Sequence, residues 1–504
     1  MLVKSILKNI SRLLFIFSVI YPISVFAQIL TKTEVESAMK KATRFMVEKV
    51  ANHGGYVWNV SVNFKHLYGE IPARNSQIWV QSGTPMVGMA LLDAYDATKD
   101  RYYLDSAQKA ADALVFGQRP TGGWHYMIDF EPKGVQEWYK NHASKFKWGM
   151  EEQRFFNGNA TFDDGNSQGA TRFLLRFYAT SKNEKYKQSL LKALNFILTA
   201  QYPNGAFPQR FPLHYDFIHD GFPDYTSYYT LNDGATNTAI EVLIDAYEHL
   251  HDKKYLNAAK RGIDFMIAVQ GPEDQAGWAE QYHPDTMQPV KARTHEPGGF
   301  VIRESEQVIE ILEEFYKMTG DRRYLRPIPL CLNWFDRVNR EAVQFKRTPA
   351  RYYELGKNLP VYVLRTEKTN AEGYGLYEWS NTPKGNNQGS SGGWDSSQVR
   401  QVVNVEPLRQ EYERLKSLDA KNARAEYDKS RVWYQPQRAA TAMVTNAIKS
   451  MNDSGAWITD CRVLKLDAKE KDGMNSGDFE IIKGYSTDVF VRNLAAMTVF
   501  VKGK

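Results

Sequence analysis

Zinc-peptidase histidine pairs, a phosphate-binding glycine loop and a dinucleotide fingerprint are all missing from this chain of 504 residues. His249 and His251 lie two apart on a predicted helix and His214 and His219 lie five apart in sequence; neither pair matches the i, i+4 metalloprotease pattern. Cysteine is scarce. Cys331 and Cys461 allow one disulfide in an oxidising compartment, or two buried thiols, and exclude a disulfide framework. Beyond residue 27 no apolar run is long enough to span a membrane. Gly389-Ser390-Ser391-Gly392-Gly393 has the letters of a nucleophile elbow, but it sits in a polar, glycine-rich loop (380–398) without strand-turn-helix context. These absences weigh against nucleotide, acyl-transfer and zinc-peptidase chemistry.

The first 27 residues read as an address. Lys4, Lys8 and Arg12 precede an apolar run from Leu13 to Phe26, and Val25-Phe26-Ala27 ends in the small residue of a cleavage site. Pro22 and the shortness of the run argue against a permanent anchor. Cleavage near Ala27/Gln28 leaves 477 residues (504 − 27) in the periplasm or outside the cell. Removing three basic residues and no acidic ones takes the formal charge from +6 to +3. That balance excludes a nucleic-acid binder driven by bulk charge. No membrane partner is expected after cleavage, and a monomer is expected.

A repeat sets the architecture. Tyr95 and Tyr103 flank "DATKDRY", Tyr178 and Tyr186 flank "ATSKNEK", Tyr247 and Tyr255 flank "EHLHDKK", and Tyr316 and Tyr324 flank "KMTGDRR". An apolar helical pattern precedes each first tyrosine and another follows each second one, so each unit is a helical hairpin. The second helices end alike: Gln118 precedes "RPTGGW", Gln201 precedes "YPNGAF" and Gln270 precedes "GPEDQAGW". "HGGYVW" near the start gives the same ending, so the chain begins with half a hairpin. Amphipathic hairpins bury their inner faces against one another, and a ring does this economically. The expected fold is all-α: an α/α toroid, as an incomplete barrel, with a smaller β-containing portion and a C-terminal extension. The loop aromatics Trp58, Trp124, Phe207 and Trp278 are either core plugs or platforms for stacking sugars. After Asp336 the repeat stops; "RTPARYYELGKNLPVYVLR" reads as extended chain. The last stretch, "GYSTDVFVRNLAAMTVFV", reads as a helix that docks back on the domain. The expected organisation is a signal peptide (1–27), a toroidal catalytic domain (28–420) and a docked extension (421–504).

Polar clusters mark corners of this ring. "TFDDGNS" opens the second hairpin, and "YYTLNDGATN" opens the third with Asn232 and Asp233 in the same relative place. Asp216, Asp220 and Asp224 lie just upstream. Carboxylates repeated at equivalent corners converge, and oxygen-rich convergence suits calcium. "PVKARTHE" supplies Lys291 and Arg293, followed by Arg303, Arg347, Arg351 and Arg365. Acids on one side of a cleft and arginines on another suit an acidic substrate bridged by a divalent cation. The competing reading pairs each arginine with a nearby acid in a structural salt bridge.

"FDDGNSQGATRFLLRFY", "AQYPNGAFPQRFPL", "YTLNDGATN", "QPVKARTHE" followed by "ESEQVIEIL", and "PARYYELGKNLPVY" together resemble the successive motifs of the family 10 polysaccharide lyases, the pectate lyases. The resemblance runs in order from about residue 80 to about residue 380. It implies an α/α toroid, in agreement with the repeat, and calcium-assisted β-elimination of polygalacturonate. By this resemblance Asp163 and Asp233 are catalytic and hold calcium, and Arg293 is the base that takes the C5 proton. Arg351, Arg365, Lys291, Asp164 and Asn232 bind substrate. Asp164 stands where the family carries asparagine, which leaves it to the metal site or to the helix cap. After "LPVY" the family has Arg-Asp-Gly, whereas this chain has "VLRTEK", and Arg365 is placed accordingly. Two rivals remain open: a glycoside hydrolase on a similar toroid using Asp163 and Asp164 as its carboxylate pair, and a noncatalytic binder of acidic glycans.

Overall fold

Each tyrosine pair brackets a two-residue turn between two helices. The first helix of each hairpin ends on a left-handed residue, Lys99 (φ 59°), Lys182 (φ 55°), His251 (φ 56°) or Gly320 (φ 69°). The next residue, Asp100, Asn183, Asp252 or Asp321, accepts a backbone N–H two residues on and so caps the second helix. The second tyrosines (Tyr103, Tyr186, Tyr255 and Tyr324) are all buried at these turns. The computed structural model describes residues 30–131, 133, 159–213, 218–219, 222–223, 225–293, 295–347, 349–369, 375–382, 403–430, 441–465 and 479–503. The leader, His214, Asp216, Asp220, Asp224 and Gly389–Gly393 lie outside the described residues.

Thirteen α-helices are present among them. They are α1 (Lys32–Phe45, continued by one π-turn to Val50), α2 (Thr84–Thr98), α3 (Arg101–Gly117), α4 (Asn166–Ser181), α5 (Lys187–Ala200), α6 (Ala235–Leu250) and α7 (Lys253–Ala268). Then come α8 (Ile302–Thr319), α9 (Pro327–Gln344), α10 (Val405–Ser417), α11 (Ala420–Ser430), α12 (Thr441–Ser450) and α13 (Thr487–Lys502). Helices α2, α4, α6 and α8 pack in succession as an inner row, and α3, α5, α7 and α9 follow as their outer partners. The outer row is stitched end to end. Gln118, Gln201 and Gln270 each end an outer helix and donate a side-chain N–H at 2.9 Å to the carbonyls of Ser189, Ala258 and Pro327 in the next one.

The aromatics of the connecting loops are core plugs. Trp124, Phe207 and Trp278 are fully buried. The indoles of Trp124 and Trp278 donate back to Leu114 and Met266 in the helix just ended, at 2.8 and 2.7 Å. Their backbone N–H groups donate to Ser167 and Ser305, in the first turn of the next inner helix. In "HGGYVW" the plug is Tyr56, donating to Thr84, so Trp58 falls two residues beyond it and is only partly buried.

The repeat resumes beyond the point where the sequence pattern stops. Helix α12 ends in "SMNDSGAW", and Trp457 donates its indole N–H to Ala447 at 2.8 Å, as the other plugs do. A Cβ on Gly455 (φ +92°) would meet the Lys41 carbonyl of α1 at 2.6 Å, just as one on Gly54 (φ +84°) would meet Lys109 of α3 at 2.6 Å. Only glycine allows that approach and that φ together. Helix α13 packs on α1, α2 and α12, so the half hairpin at the start finds its inner partner at the end of the chain. The strands Thr459–Leu464 and Phe479–Ser486 extend an antiparallel sheet onto Asn59–Ser61, Leu67–Tyr68 and Pro72–Ala73. A second antiparallel sheet runs Trp278–Ala279, Gly299–Val301, Tyr352–Glu354, Pro360–Thr369 and Gly375–Ser380, the extended chain expected after Asp336. Helices α10 and α11 pack on α9 and α8. Cys331 and Cys461 are separate buried thiols.

Candidate active site

Two matching turns begin the inner helices α4 and α6. Asp163-Asp164-Gly165 and Asn232-Asp233-Gly234 each form a short 3-10 turn whose last two residues are left-handed, at φ 50° and 65° in one and 49° and 71° in the other. The turns lie side by side over Thr238, which would touch a Cβ built on either glycine, and the Gln168 amide donates to Phe162 and Ala235 across them. In this register Asp164 is the equivalent of Asp233, and Asp163 the equivalent of Asn232. The buried member of each turn is held from below. Asp163 accepts the Tyr126 hydroxyl at 2.5 Å and the Gln209 amide at 3.0 Å. Asn232 donates to Glu296 at 3.2 Å and accepts from Arg303 at 3.2 Å. The outer member points away from the core. Asp164 is exposed and takes a short hydrogen bond from the Gln81 amide; Asp233 pairs with Arg303 at 3.2 Å. Both carboxylates stand at helix N-termini, where the aligned peptide dipoles favour negative charge.

Around Asp233 three arginines arrive from distant parts of the sequence. Arg303 opens α8 and is bound to its neighbour Glu304 at 2.6 Å. Arg351, just before the strand Tyr352–Glu354, closes tightly on Glu280 and lies 3.9 Å from Glu304. Burial alone would lower the Arg351 pKa, but the charge of Glu280, then of Tyr352, Glu304 and Asp233, carries it upward. Arg293 binds Glu296 at 2.5 Å, with its guanidinium 5.7 Å from the centre of the Tyr225 ring. Burial would raise Glu296, yet the charges of Arg293 and His295 and the Arg293 hydrogen bonds hold it down at about 2. Asp233 itself is raised by burial, against the pull of Arg303, Arg293 and Arg351.

Of the residues expected from sequence, Asp233, Asn232, Arg293 and Arg351 come together in this network, and Asp163 and Asp164 occupy the adjoining turn. Lys291 lies on the same segment as Arg293, with its ammonium 5.9 Å from the Trp379 ring. Arg365 is on the strand Pro360–Thr369, opposite Tyr377; its side chain lies outside the described residues. Sequence reasoning missed Gln81, Tyr126, Gln209, Glu280, Glu296 and Glu304. The sequence carries one signal for three of them: Tyr126, Gln209 and Glu280 each lie two residues beyond a plug aromatic, on the side of the loop that faces the acids. Extended chain alternates its faces, so a buried plug turns the next-but-one residue the same way along the loop.

Among the described residues no three histidine, cysteine or acidic side chains converge in a metal-binding cluster. The donors present are Asp164 and Asp233, carboxylate oxygens on twin turns. They suit a hard cation whose remaining ligands come from elsewhere, such as water or an anionic ligand.

Residues 132–381 match the family model for pectic acid lyase. No curated protein sequence matches the chain. Among solved structures, a mutant family 10 polysaccharide lyase from Cellvibrio cellulosa in complex with trigalacturonic acid aligns at 19% identity with a TM-score of 0.38, covering 55% of this chain and 86% of that one. The family 10 polysaccharide lyase from the same organism aligns at 20% identity and a TM-score of 0.37, covering 55% and 84%. A family 76 glycoside hydrolase from a bovine Bacteroides thetaiotaomicron strain aligns at 12% identity and a TM-score of 0.42, covering 94% and 77%. With its ordered motifs and the pectic acid lyase match over residues 132–381, this chain is a polysaccharide lyase resembling family 10.

Proposed function

We propose that this enzyme is a secreted pectate lyase that cleaves polygalacturonate by calcium-assisted β-elimination. The observation that carries the reading is the meeting of Arg293, Arg303 and Arg351 around Asp233 within the stretch that matches pectic acid lyases. Uronate carboxylates need cationic partners, and arginine meets them with a two-pronged fork. Asp164 and Asp233 would hold the calcium, with Asp163 fixed behind them by Tyr126 and Gln209. Bound there, the ion would neutralise the uronate carboxylate and so acidify the C5 hydrogen.

The chain's own residues do the rest. Arg351 and Lys291 bring positive charge to the uronate carboxylate, stabilising the negative charge that develops as C5 loses its proton. Arg293 takes that proton. The C5–H electron pair becomes the C4–C5 double bond, the C4–O bond breaks, and the departing sugar oxygen is protonated from solvent. An arginine is almost always charged, and this one is paired with Glu296 at 2.5 Å. Arg293 must therefore leave Glu296 when the substrate enters, in surroundings where Arg303, Arg351 and the cation disfavour its proton.

The test is to follow the ultraviolet absorbance of the unsaturated uronate product on polygalacturonate, with calcium and with a chelator. A calcium-dependent rise supports the lyase; reducing ends without that absorbance would mean hydrolysis by the Asp163/Asp164 pair. Arg293→Ala should lower turnover by about 100-fold or more while oligogalacturonate binding is largely kept. Near-normal turnover in that variant would remove Arg293 as the base.

A further inference from the structure

Four connecting loops share one register, and three of them use it to build the site. Two residues beyond the plugs Trp124, Phe207 and Trp278 stand Tyr126, Gln209 and Glu280, which bind Asp163, Asp163 and Arg351. Two residues beyond the plug Tyr56 stands Trp58. It is only partly buried, and it packs on the cluster of Ile71, Trp79, Tyr126 and Met127. Its indole N–H donates to the Gln81 carbonyl at 2.7 Å, while the Gln81 amide is bound to the Asp164 carboxylate. One residue thus ties Trp58 to the exposed acid of the site.

This geometry leaves the ring fixed and its polar edge spent. What Trp58 still offers a ligand is the flat aromatic face. Its backbone is also fixed from the far end of the chain, since Thr487 at the start of α13 donates to the Trp58 carbonyl at 2.9 Å. Tyr56, Trp58 and Gln81 all precede residues 132–381, so this wall is built outside the stretch that matches pectic acid lyases.

We propose that Trp58 is a sugar-stacking subsite that receives a pyranose ring of the polysaccharide on its indole face, next to the unit held at Asp164 and Asp233. The inference rests on the lyase reading for the identity of the sugar, and it assigns this chain an additional binding position contributed by its N-terminal segment. The C–H face of a pyranose is apolar and matches an aromatic ring, while its rim of hydroxyls and carboxylate stays free for the polar side of the cleft.

The test compares Trp58→Leu with Trp58→Phe, both in the Arg293→Ala background with calcium present, by calorimetric titration with hexagalacturonate. Leucine keeps apolar bulk against Trp79 and Tyr126 but has no flat face; phenylalanine keeps the face. The leucine variant should bind about tenfold more weakly and the phenylalanine variant within about threefold of the parent. Equal affinity in parent and leucine variant, or equal loss in both variants, would overturn the subsite, as would a parent that binds no hexagalacturonate. Wild-type enzyme assayed alongside for unsaturated product separates the two ideas. Binding that follows the expected ranking without any such product would retire the lyase and keep the subsite.

Discussion

Adjacent aspartates can do different work because the backbone sends them in opposite directions. Asp163 is turned inward, its two oxygens occupied by the Tyr126 hydroxyl and the Gln209 amide. Asp164, at φ 50°, is turned out beside the matching Asp233 at φ 49°. The family motif alone assigned calcium to Asp163. The comparison internal to the chain, "DDG" against "NDG", already pairs Asp164 with Asp233, so this part of the site was legible in sequence. The arginine partners were not: Glu296 and Glu304 lie inside the stretches "QPVKARTHE" and "ESEQVIEIL" and Glu280 outside them, but nothing in their spacing pairs them with the arginines, which they meet only when the ring closes. Two substitutions separate the aspartates. Asp164→Asn should raise the calcium needed for half-maximal product formation about tenfold, since it would remove a charge from the pair of carboxylates proposed to hold the cation. Asp163→Asn should cost about 1–3 kcal/mol in thermal stability, because an amide cannot accept both hydrogen bonds. Calcium titrations and melting curves on the two variants check this; an unchanged titration in Asp164→Asn would return Asp164 to a capping role.

At the scale of helices, hairpin positions followed from apolar periodicity and from the Asx caps, whereas the charges hidden between helices had no periodic signature. Arg176 of α4 is 1% exposed and reaches Asp93 and Asp96 of α2 at 2.7 and 3.0 Å, joining two inner helices. Replacing it by leucine strands Asp93 in the interior, which costs about 3–5 kcal/mol and should appear as a large fall in melting temperature. Double replacement with Asp93→Asn should recover part of the loss, and failure to recover any would show that packing, not charge, held the pair together. Glu313 of α8 is a second hidden charge, with no hydrogen-bond partner for its Oε1 among the described residues. Burial, together with the charge of Glu411, pushes it up to about 8 from 4.5, against the pull of Lys317. An acid whose folded pKa is raised costs no stability below its unfolded value and progressively more as pH rises through the folded one. Glu313→Gln should therefore leave stability unchanged near pH 4.5 and add about 2–4 kcal/mol by about pH 9, read as the difference between melting curves of the two proteins.

At the scale of the whole molecule, the ring depends on a hairpin split between the two ends of the chain. Its outer helix α1 and the strand Asn59–Ser61 come first in sequence; its inner helix α13 and the strand Phe479–Ser486 come last, and the strands pair in register from Asn59 against Ser486 to Ser61 against Gly484. The sequence hid this closure because the loop before α13 has Met451 where the other outer helices end in glutamine, and because two strands separate that loop from its inner helix. A repeat interrupted by an insertion of different period does not register as periodic. Closure also fixes the wall that carries Trp58, through the Thr487 hydrogen bond to its carbonyl. Ending the chain at Ala440 would remove α12, α13 and both C-terminal strands, exposing the faces of α1 and α2 that they cover. Phe490, Leu494, Met497, Val499 and Val501 are all buried on α13. At about 1.5–3 kcal/mol each, their loss amounts to roughly 10 kcal/mol, comparable with the whole stability of an ordinary domain. The shortened chain should fail to show a cooperative thermal transition and should expose apolar surface to a hydrophobic dye, even though every residue of the pectic acid lyase stretch is still present. A truncated protein that melts cooperatively near the wild-type temperature would mean that the ring stands without its last hairpin.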